Sequence, residues 1–153
     1  MNSSVLILIS GLPGSGKTSL AWSIASLAPA RWEIVVHSVD ERFVELGGRK
    51  EKDEEESARL LHRARRDCLE QCANSLRTRR CVAILDDTNH LRSMRRDAAR
   101  VSTSVGASYL HVFLNTGIEV AMMRNKSREA STRVSEESFS KIAQSLELSP
   151  YFK

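Results

Sequence analysis

Short apolar runs alternate with amphipathic segments along the whole chain. We interpret the runs as four strands, at residues 5–9, 33–37, 81–85 and 109–114. Continuous runs rich in Val and Ile are typical of parallel strands whose two faces are both covered by helices. The pattern therefore predicts an α/β fold: a three-layer sandwich of about four parallel strands flanked by helices.

Helices are predicted where apolar residues recur every three or four positions. The longest covers about residues 54–78, and its apolar stripe consists of Leu61, Ala64, Cys68, Cys72 and Leu76. Acidic residues at 53–56 complement the positive end of its dipole, so we assign them no catalytic role. A short helix is expected after Gly117, and a last helix after Ser135, which is a good N-cap residue.

The composition is that of one ordinary globular domain spanning residues 1–153. Hydrophobic residues make up 41% and charged residues 27% of the chain, as is typical of folded domains. The longest apolar run near the N-terminus is far shorter than a membrane span, and it lacks the basic region of a signal peptide. We therefore expect a cytoplasmic protein without membrane contact, of undetermined oligomeric state.

The cysteines and arginines refine this picture. The three cysteines form no C-x-x-C pair, which argues against a disulfide framework or a zinc site and favours core packing of Cys68 and Cys72. The four histidines show no ligand spacing. Arginines are clustered near positions 63–66, 77–80 and 92–100 in a chain of net charge +4. Such clusters suit a polyanion such as RNA, although interleaved acidic residues fit solvated helix faces equally well.

The segment GLPGSGKT, residues 11–18, matches the phosphate-binding pattern G-x-x-x-x-G-K-[ST], called a P-loop. A predicted strand precedes it, and a helical pattern with Leu20, Ile24 and Leu27 on one stripe follows it, which is the context that the motif requires. In a P-loop, Lys17 reaches the β- and γ-phosphates and the Thr18 hydroxyl coordinates Mg²⁺. The residues expected to cradle the phosphates of ATP are Gly11, Gly14, Ser15, Gly16, Lys17, Thr18 and Ser19.

Acidic residues follow two of the predicted strands. Asp40 comes just after the second strand, at the edge of the sheet where ligands bind in open α/β folds, and it is a candidate general base. Its alternative role is the N-cap of a helix at 41–46. Asp86 and Asp87 close the third strand in the arrangement that holds Mg²⁺ in P-loop proteins. Either carboxylate could hold the ion while the other orients a substrate group.

A basic segment between the last two predicted helices is a candidate lid. It covers about residues 125–134 and is preceded by Arg124, with Arg128 inside it. Arginines in a mobile cover can close over ATP and stabilise the charge on the transferred group. The alternative is an ordinary exposed basic loop.

Three segments together resemble the L-seryl-tRNA(Sec) kinase family of P-loop kinases: residues 11–18, residues 85–89 continuing into Ser93-Met94-Arg95, and residues 124–128. The resemblance implies a nucleoside-kinase-like P-loop NTPase fold, ATP and Mg²⁺ as cofactors, and the serine hydroxyl carried on selenocysteine tRNA as the phosphate acceptor. It also implies that Lys17, Asp40, Arg124 and Arg128 are catalytic, and that Thr18 with Asp86 or Asp87 holds the metal.

Two other families share part of this pattern. Polynucleotide 5′-kinases have Asp-Thr-Asn where this chain has residues 87–89, and an Arg-Asn-x-x-Arg lid like residues 124–128. The Elongator-associated P-loop regulators, which bind tRNA and hydrolyse ATP, are also similar. The alternatives to a seryl-tRNA kinase are therefore a polynucleotide 5′-hydroxyl kinase and a tRNA-stimulated ATPase that acts as a regulatory module.

The chain differs from the kinase families at two points. Those families tend to place an arginine three residues after the catalytic aspartate, whereas here Arg42 follows Asp40 by two residues. Seryl-tRNA kinases also continue into a C-terminal tRNA-binding region. Because this sequence ends at residues 150–153, where a core kinase domain would stop, we expect no such region within it.

Overall fold

A computed structural model describes residues 3–48, 53–78 and 80–147. Its sheet contains four strands, β1 (Val5–Ser10), β2 (Glu33–Ser38), β3 (Cys81–Asp86) and β4 (Ser108–Phe113). All neighbouring strands are parallel, in the order β2-β3-β1-β4. Each predicted strand agrees with the structure to within one residue at both ends, and the predicted α/β fold is confirmed.

Six helices connect or follow these strands in the described part of the chain. They are α1 (Lys17–Leu27), α2 (Val39–Glu45), α3 (Glu54–Leu76), α4 (Arg92–Ser104), α5 (Ile118–Lys126) and α6 (Glu136–Ser145). The predicted start of the last helix is confirmed, since the Ser135 hydroxyl accepts a hydrogen bond of 3.1 Å from the Ser138 amide. This contact satisfies one of the free N–H groups at the helix start.

The sheet separates two apolar layers because side chains alternate between the faces of a strand. On β1, Leu6 and Leu8 face a core that also contains residues of α2, α3 and α4. Ile7 and Ile9 face the opposite side, where they pack with Leu20, Ala21 and Ile24 of α1. The layers are therefore helix, sheet and helix, as predicted.

The apolar stripe of α3 is buried over most of its length. Ala64, Cys72 and Leu76 are fully buried, and Cys68 is 1% exposed. Burial raises the pKa of the Cys68 thiol to about 11, so Cys68 and Cys72 act as core residues, as expected. The prediction that Leu61 belongs to this apolar stripe is wrong, because Leu61 is 38% exposed. A helix of 23 residues is about 35 Å long and overhangs six-residue strands of about 20 Å.

Leu27, which the pattern places on the same helical stripe as Leu20 and Ile24, does not pack against the sheet. It is the last residue of α1 and is 82% exposed, because the helix ends there and Ile24 already forms the last packed turn against the sheet.

A third apolar cluster attaches α5 and α6 to the loop after β1. Leu12 packs with Ala121 of α5 and Phe139 of α6, and Phe139 is fully buried. The cluster fixes these two helices beside the loop. Among the described residues, no helix is long and apolar enough to cross a membrane.

Candidate active site

The candidate residues meet at one edge of the sheet. The P-loop follows β1, Asp40 follows β2, and Asp86 and Asp87 follow the apolar part of β3. Because the three strands are parallel and adjacent, their carboxyl ends lie together, and ligands of open α/β sheets bind at this edge.

The backbone of the P-loop requires glycine at two positions. Gly14 and Gly16 have φ angles of +82° and +99°, which side chains other than glycine rarely adopt. A Cβ atom on Gly14 would also lie 2.2 Å from the carbonyl oxygen of Ala121 on α5. The loop is tied to the far side of the site by a 3.1 Å hydrogen bond from the Gly11 amide to the Thr88 carbonyl.

Lys17 is a buried cation within this loop. It is 8% exposed, and its Nζ donates a 2.8 Å hydrogen bond to the Leu12 carbonyl. Burial lowers the pKa of Lys17, and the negative charges of Asp86 and Asp87 oppose that effect. A buried ammonium group of this kind is stabilised by an anionic partner such as a phosphate.

The P-loop also contains a buried hydroxyl that lacks a partner. Ser15 Oγ has no hydrogen bond among the described residues, although Ser15 is only 5% exposed. Leaving such a group unsatisfied costs free energy. A phosphate oxygen in the loop would satisfy it, so the residues present fit a nucleotide phosphate. Ser19, in the first turn of α1, is exposed.

The two adjacent aspartates have different partners in the structure. The Thr18 hydroxyl donates a 2.7 Å hydrogen bond to Asp86 Oδ2. Burial raises the pKa of the Asp86 carboxyl, and the contacts with Thr18 and Lys17 partly oppose this. A hydroxyl and a carboxylate are oxygen ligands suited to Mg²⁺. The described residues contain no cluster of three or more His, Cys, Asp or Glu ligands. Waters and phosphates would therefore complete the shell.

Asp87 is instead bound by an arginine of α3. Arg65 donates two hydrogen bonds to Asp87 Oδ2, at 2.8 Å from Nε and 2.6 Å from Nη2. The Thr88 amide donates to Asp87 Oδ1 at 2.7 Å. Arg65 was not singled out from the sequence, where it was one of a basic cluster. The only available signal was its position directly after the buried Ala64.

Asp40 lies in the first turn of α2 and is open to solvent. Ser38 is the N-cap residue of that helix, since its hydroxyl accepts from the Glu41 amide at 3.3 Å. The alternative role of Asp40 as an N-cap is therefore wrong. The protein packed around Asp40 raises the pKa of its carboxyl, and the charges of Asp87 and Asp86 raise it further.

Arg42 is engaged by two other acidic residues. Its Nε and Nη2 donate to Asp67 Oδ2 of α3 at 3.1 and 2.8 Å, and its Nη1 donates to Glu45 at 2.9 Å. The bonds to Asp67 hold α2 against α3.

The two candidate lid arginines lie in different places. α5 continues to Lys126, so Arg124 is an exposed residue of its last turn rather than part of the connecting segment. Arg128 follows the helix and is partly buried. Burial lowers the pKa of Lys17 and raises the pKa values of Asp40 and Asp86; the charge of Arg128 adds to the first effect and partly opposes the second. The structure therefore adds Arg128 to the charges of the site, whereas Arg124 faces solvent.

Asn89, in the loop after β3, and Asn125, in α5, are both buried. Asn125 exchanges hydrogen bonds with the backbone of Val134, at 2.7 Å from Nδ2 to the carbonyl and 3.0 Å from the amide to Oδ1. Asn89, with φ +45°, donates to the Ile9 carbonyl at 2.8 Å and joins the loop after β3 to β1. Asn125 thus closes the base of the segment between α5 and α6.

The chain is similar to a known protein family and to several solved structures. The model of the AAA domain family AAA_33 matches residues 6–149. A chain of the Pnkp1/Rnl/Hen1 RNA repair complex is similar at 20% identity and TM-score 0.75, over 95% of this chain and 45% of that one. Kti12 from Chaetomium thermophilum, in complex with ADP-AlF3, gives 18% identity and TM-score 0.73 over 97% and 84%.

A gluconokinase from Sinorhizobium meliloti 1021 gives 18% identity and TM-score 0.62, over 100% of this chain and 80% of that chain. The chain spans less than half of the RNA repair protein. At these identities the three likenesses describe a shared fold. The family model covers nearly the entire chain, including the P-loop, so this chain belongs to the AAA domain family AAA_33.

Proposed function

We propose that this chain is an ATP- and Mg²⁺-dependent phosphotransferase that phosphorylates a hydroxyl group. The observation that carries the proposal is the 2.7 Å contact between Thr18 of the P-loop and Asp86 of β3. It joins the phosphate-binding loop to a buried carboxylate, on the edge of the sheet where Lys17 and Asp40 also lie. Phosphoryl transfer needs this combination of phosphate cradle, metal site and proton acceptor.

In this proposal the P-loop holds the phosphates through its backbone amides, Lys17 and Ser15. Thr18 and Asp86 would hold Mg²⁺, which when bound neutralises charge on the phosphates. Of the two adjacent aspartates, Asp86 is the better metal ligand, because both oxygens of Asp87 are already bonded to protein groups.

Asp40 would accept the proton of the attacking hydroxyl. Asp40 is exposed as a residue and so accessible to an acceptor. The surrounding protein and the charges of Asp87 and Asp86 raise the pKa of its carboxyl, which makes it a stronger base than an ordinary aspartate. Arg128, whose charge already acts on the site, would contact the transferred phosphate when the candidate lid, at about residues 125–134, closes over it. Arg124, exposed on the last turn of α5, would reach the phosphate only if that turn moves with the lid.

For the acceptor we propose the serine hydroxyl of seryl-tRNA(Sec), on the sequence resemblance. The fold shared with a chain of an RNA repair complex favours a second candidate, the 5′-hydroxyl of a polynucleotide. Both are RNA acceptors, which is consistent with the basic charge of the chain.

Transfer of labelled γ-phosphate from ATP tests the proposal. The acceptors offered are seryl-tRNA(Sec), a 5′-hydroxyl oligonucleotide and water, with and without Mg²⁺. Label on serine or on the 5′ end identifies the acceptor. Release of free phosphate alone, stimulated by tRNA, would instead indicate an ATPase module. Lys17→Ala is the control for contaminating activity and should remove nearly all turnover; a variant as active as the wild type would exclude Lys17 from the mechanism.

A further inference from the structure

The charges around the site come from five parts of the fold. Asp40 is in α2, Lys17 is in the P-loop, Arg128 follows α5, and Asp86 and Asp87 lie at the end of β3. A further cation is Arg65 on α3, which is not part of any motif. Its side chain is 20% exposed, and that of its partner Asp87 is 7% exposed.

Arg65 keeps part of its hydrogen-bonding capacity. Its Nε and Nη2 both donate to one oxygen, Asp87 Oδ2. Nη1 has no hydrogen-bond partner within the described ranges 3–48, 53–78 and 80–147. A guanidinium group presents five N–H donors in a fixed plane. The pair with Asp87 therefore fixes the plane of Arg65 and leaves the Nη1 donors available.

The ion pair with Asp87 places Arg65 at the edge of the sheet that carries the candidate site. Asp87 directly follows Asp86, whose carboxylate accepts from Thr18 of the P-loop. The charge of Asp87, the partner of Arg65, also acts directly on Asp40.

We propose that Arg65 is a binding residue for the phosphate acceptor, whose oxygen accepts a hydrogen bond from Nη1 and is thereby held beside Asp87 at this edge of the sheet. This inference rests on the proposed function and adds to it the group that positions the acceptor. Arg42 does not take this role, because its donors bind Asp67 and Glu45. Binding through Arg65 favours a phosphate acceptor that carries an oxygen able to accept a strong hydrogen bond close to its reacting hydroxyl.

The competing explanation is that Arg65 only holds Asp87 in place. Removing one partner of a buried ion pair leaves the other charge uncompensated, so a purely structural Arg65 would lower stability and disturb every function of the site. Stability alone cannot separate the two roles. The Michaelis constant for the acceptor, measured apart from ATP binding, separates them.

The test compares Arg65→Met and Arg65→Lys with Arg59→Met, a control on the same helix whose exposed side chain pairs with Glu55. The acceptor is seryl-tRNA(Sec) or the 5′-hydroxyl oligonucleotide, whichever takes label from the wild type. Arg65→Met should raise the acceptor KM about 10–100-fold, as loss of a charge-assisted hydrogen bond predicts, and leave ATP affinity within about twofold. Arg65→Lys keeps the charge and should raise KM less, while Arg59→Met should not raise it.

A second background distinguishes direct contact from support of Asp87. In an Asp87→Ala protein the contact between Arg65 and residue 87 is already lost, and Arg65→Met should still raise the acceptor KM. If it has no further effect there, or if the acceptor KM of Arg65→Met and Arg65→Lys equals that of the wild type, the inference is wrong while the phosphotransferase proposal stands. If the wild type labels neither acceptor, the proposed function fails and the inference fails with it.

Discussion

Asp86 and Asp87 are adjacent in the sequence, yet their carboxylates have different partners. Asp86 accepts from the hydroxyl of Thr18, and Asp87 accepts from Arg65 and the Thr88 amide. Adjacent residues of a strand end point in opposite directions, so one carboxylate reaches the P-loop and the other reaches α3. The third carboxylate, Asp40, remains open to solvent. Three identical side chains thus have three environments within one site.

At the residue scale, Asp86→Asn should stabilise the protein while removing its Mg²⁺-dependent transfer. Burial raises the pKa of Asp86, so the folded state favours the neutral form and the ionised carboxylate costs folding free energy at pH 7. An amide of the same shape avoids that cost. A gain of about 1 kcal/mol corresponds to a Tm increase of about 2–5 °C.

The stability gain of Asp86→Asn should depend on pH, because it arises from the ionised form of Asp86. The gain should be present above the folded-state pKa of Asp86 and should shrink as pH falls through it. The gain should disappear below about pH 3.8, the ordinary pKa, where Asp86 is protonated in both states. Thermal melts without ATP and Mg²⁺ measure it. A lower Tm for Asp86→Asn at pH 7 would show that the ionised carboxylate stabilises the fold.

Asp40→Asn tests the proposed base. Transfer should fall by about 10²–10⁴-fold with ATP binding unchanged. The wild-type rate should rise with pH through a pKa above 3.8, because Asp40 must be ionised to accept a proton and its pKa is raised. This rise of the transfer rate with pH should be absent in Asp40→Asn. Glu41→Gln, at the next position, is the control, and loss of ATP binding in Asp40→Asn would assign Asp40 a structural role.

At the element scale, the P-loop and α5 are built against each other. Gly14 is in direct contact with the backbone of Ala121, and Leu12 packs on Ala121 and Phe139. Because α5 leads directly to Arg128 and to the segment anchored by Asn125, this contact also sets the position of the candidate lid. The phosphate loop and its cover therefore share one rigid support.

Gly14→Ala should destabilise the protein by about 2–4 kcal/mol, the sum of a strained positive φ and overpacking against α5. Gly47→Ala is a matched control, since Gly47 has φ +83° but no atom within 4 Å of its added Cβ. It should cost about 1–2 kcal/mol for conformation alone. Denaturant unfolding of both variants measures the difference. Equal losses would mean that α5 moves away without cost.

At the scale of the whole molecule, positive charge lies outside the site as well as in it. Arg63, Arg66 and Arg96 are exposed and have no ion pair with any described residue. Arg79, part of the predicted basic clusters, lies outside the described residues. The net charge of +4 is modest, so electrostatics alone would bind RNA weakly at physiological salt.

An RNA acceptor held by the site itself should therefore remain bound when salt is raised. We expect a Kd below about 10⁻⁶ M for the acceptor RNA at 0.15 M salt, tighter than typical non-specific binding. Titration of labelled RNA across salt concentrations measures it, with an unrelated RNA of equal length as control. Equal and weak binding of both RNAs would argue against an RNA acceptor and favour a small-molecule hydroxyl.

The sequence by itself determined the four strands, the long helix α3, the start of α6 and the P-loop, because each depends on local periodicity or on neighbouring residues. Residues 11–18 form their loop through glycine geometry that is encoded in place. The sequence also predicted that Asp40, Asp86 and Asp87 lie at one edge of the sheet, since the carboxyl ends of parallel strands meet there.

Only the tertiary structure decided which side chains meet. Arg65 and Asp87 are 22 residues apart, and Thr18 and Asp86 are 68 apart, and no local pattern encodes such pairs. The same reason explains why Arg42 binds Asp67 instead of the site, and why α5 extends to include Arg124. The packing of α2, α3 and α5 on the sheet determines these contacts, because it fixes the directions in which long charged side chains can reach.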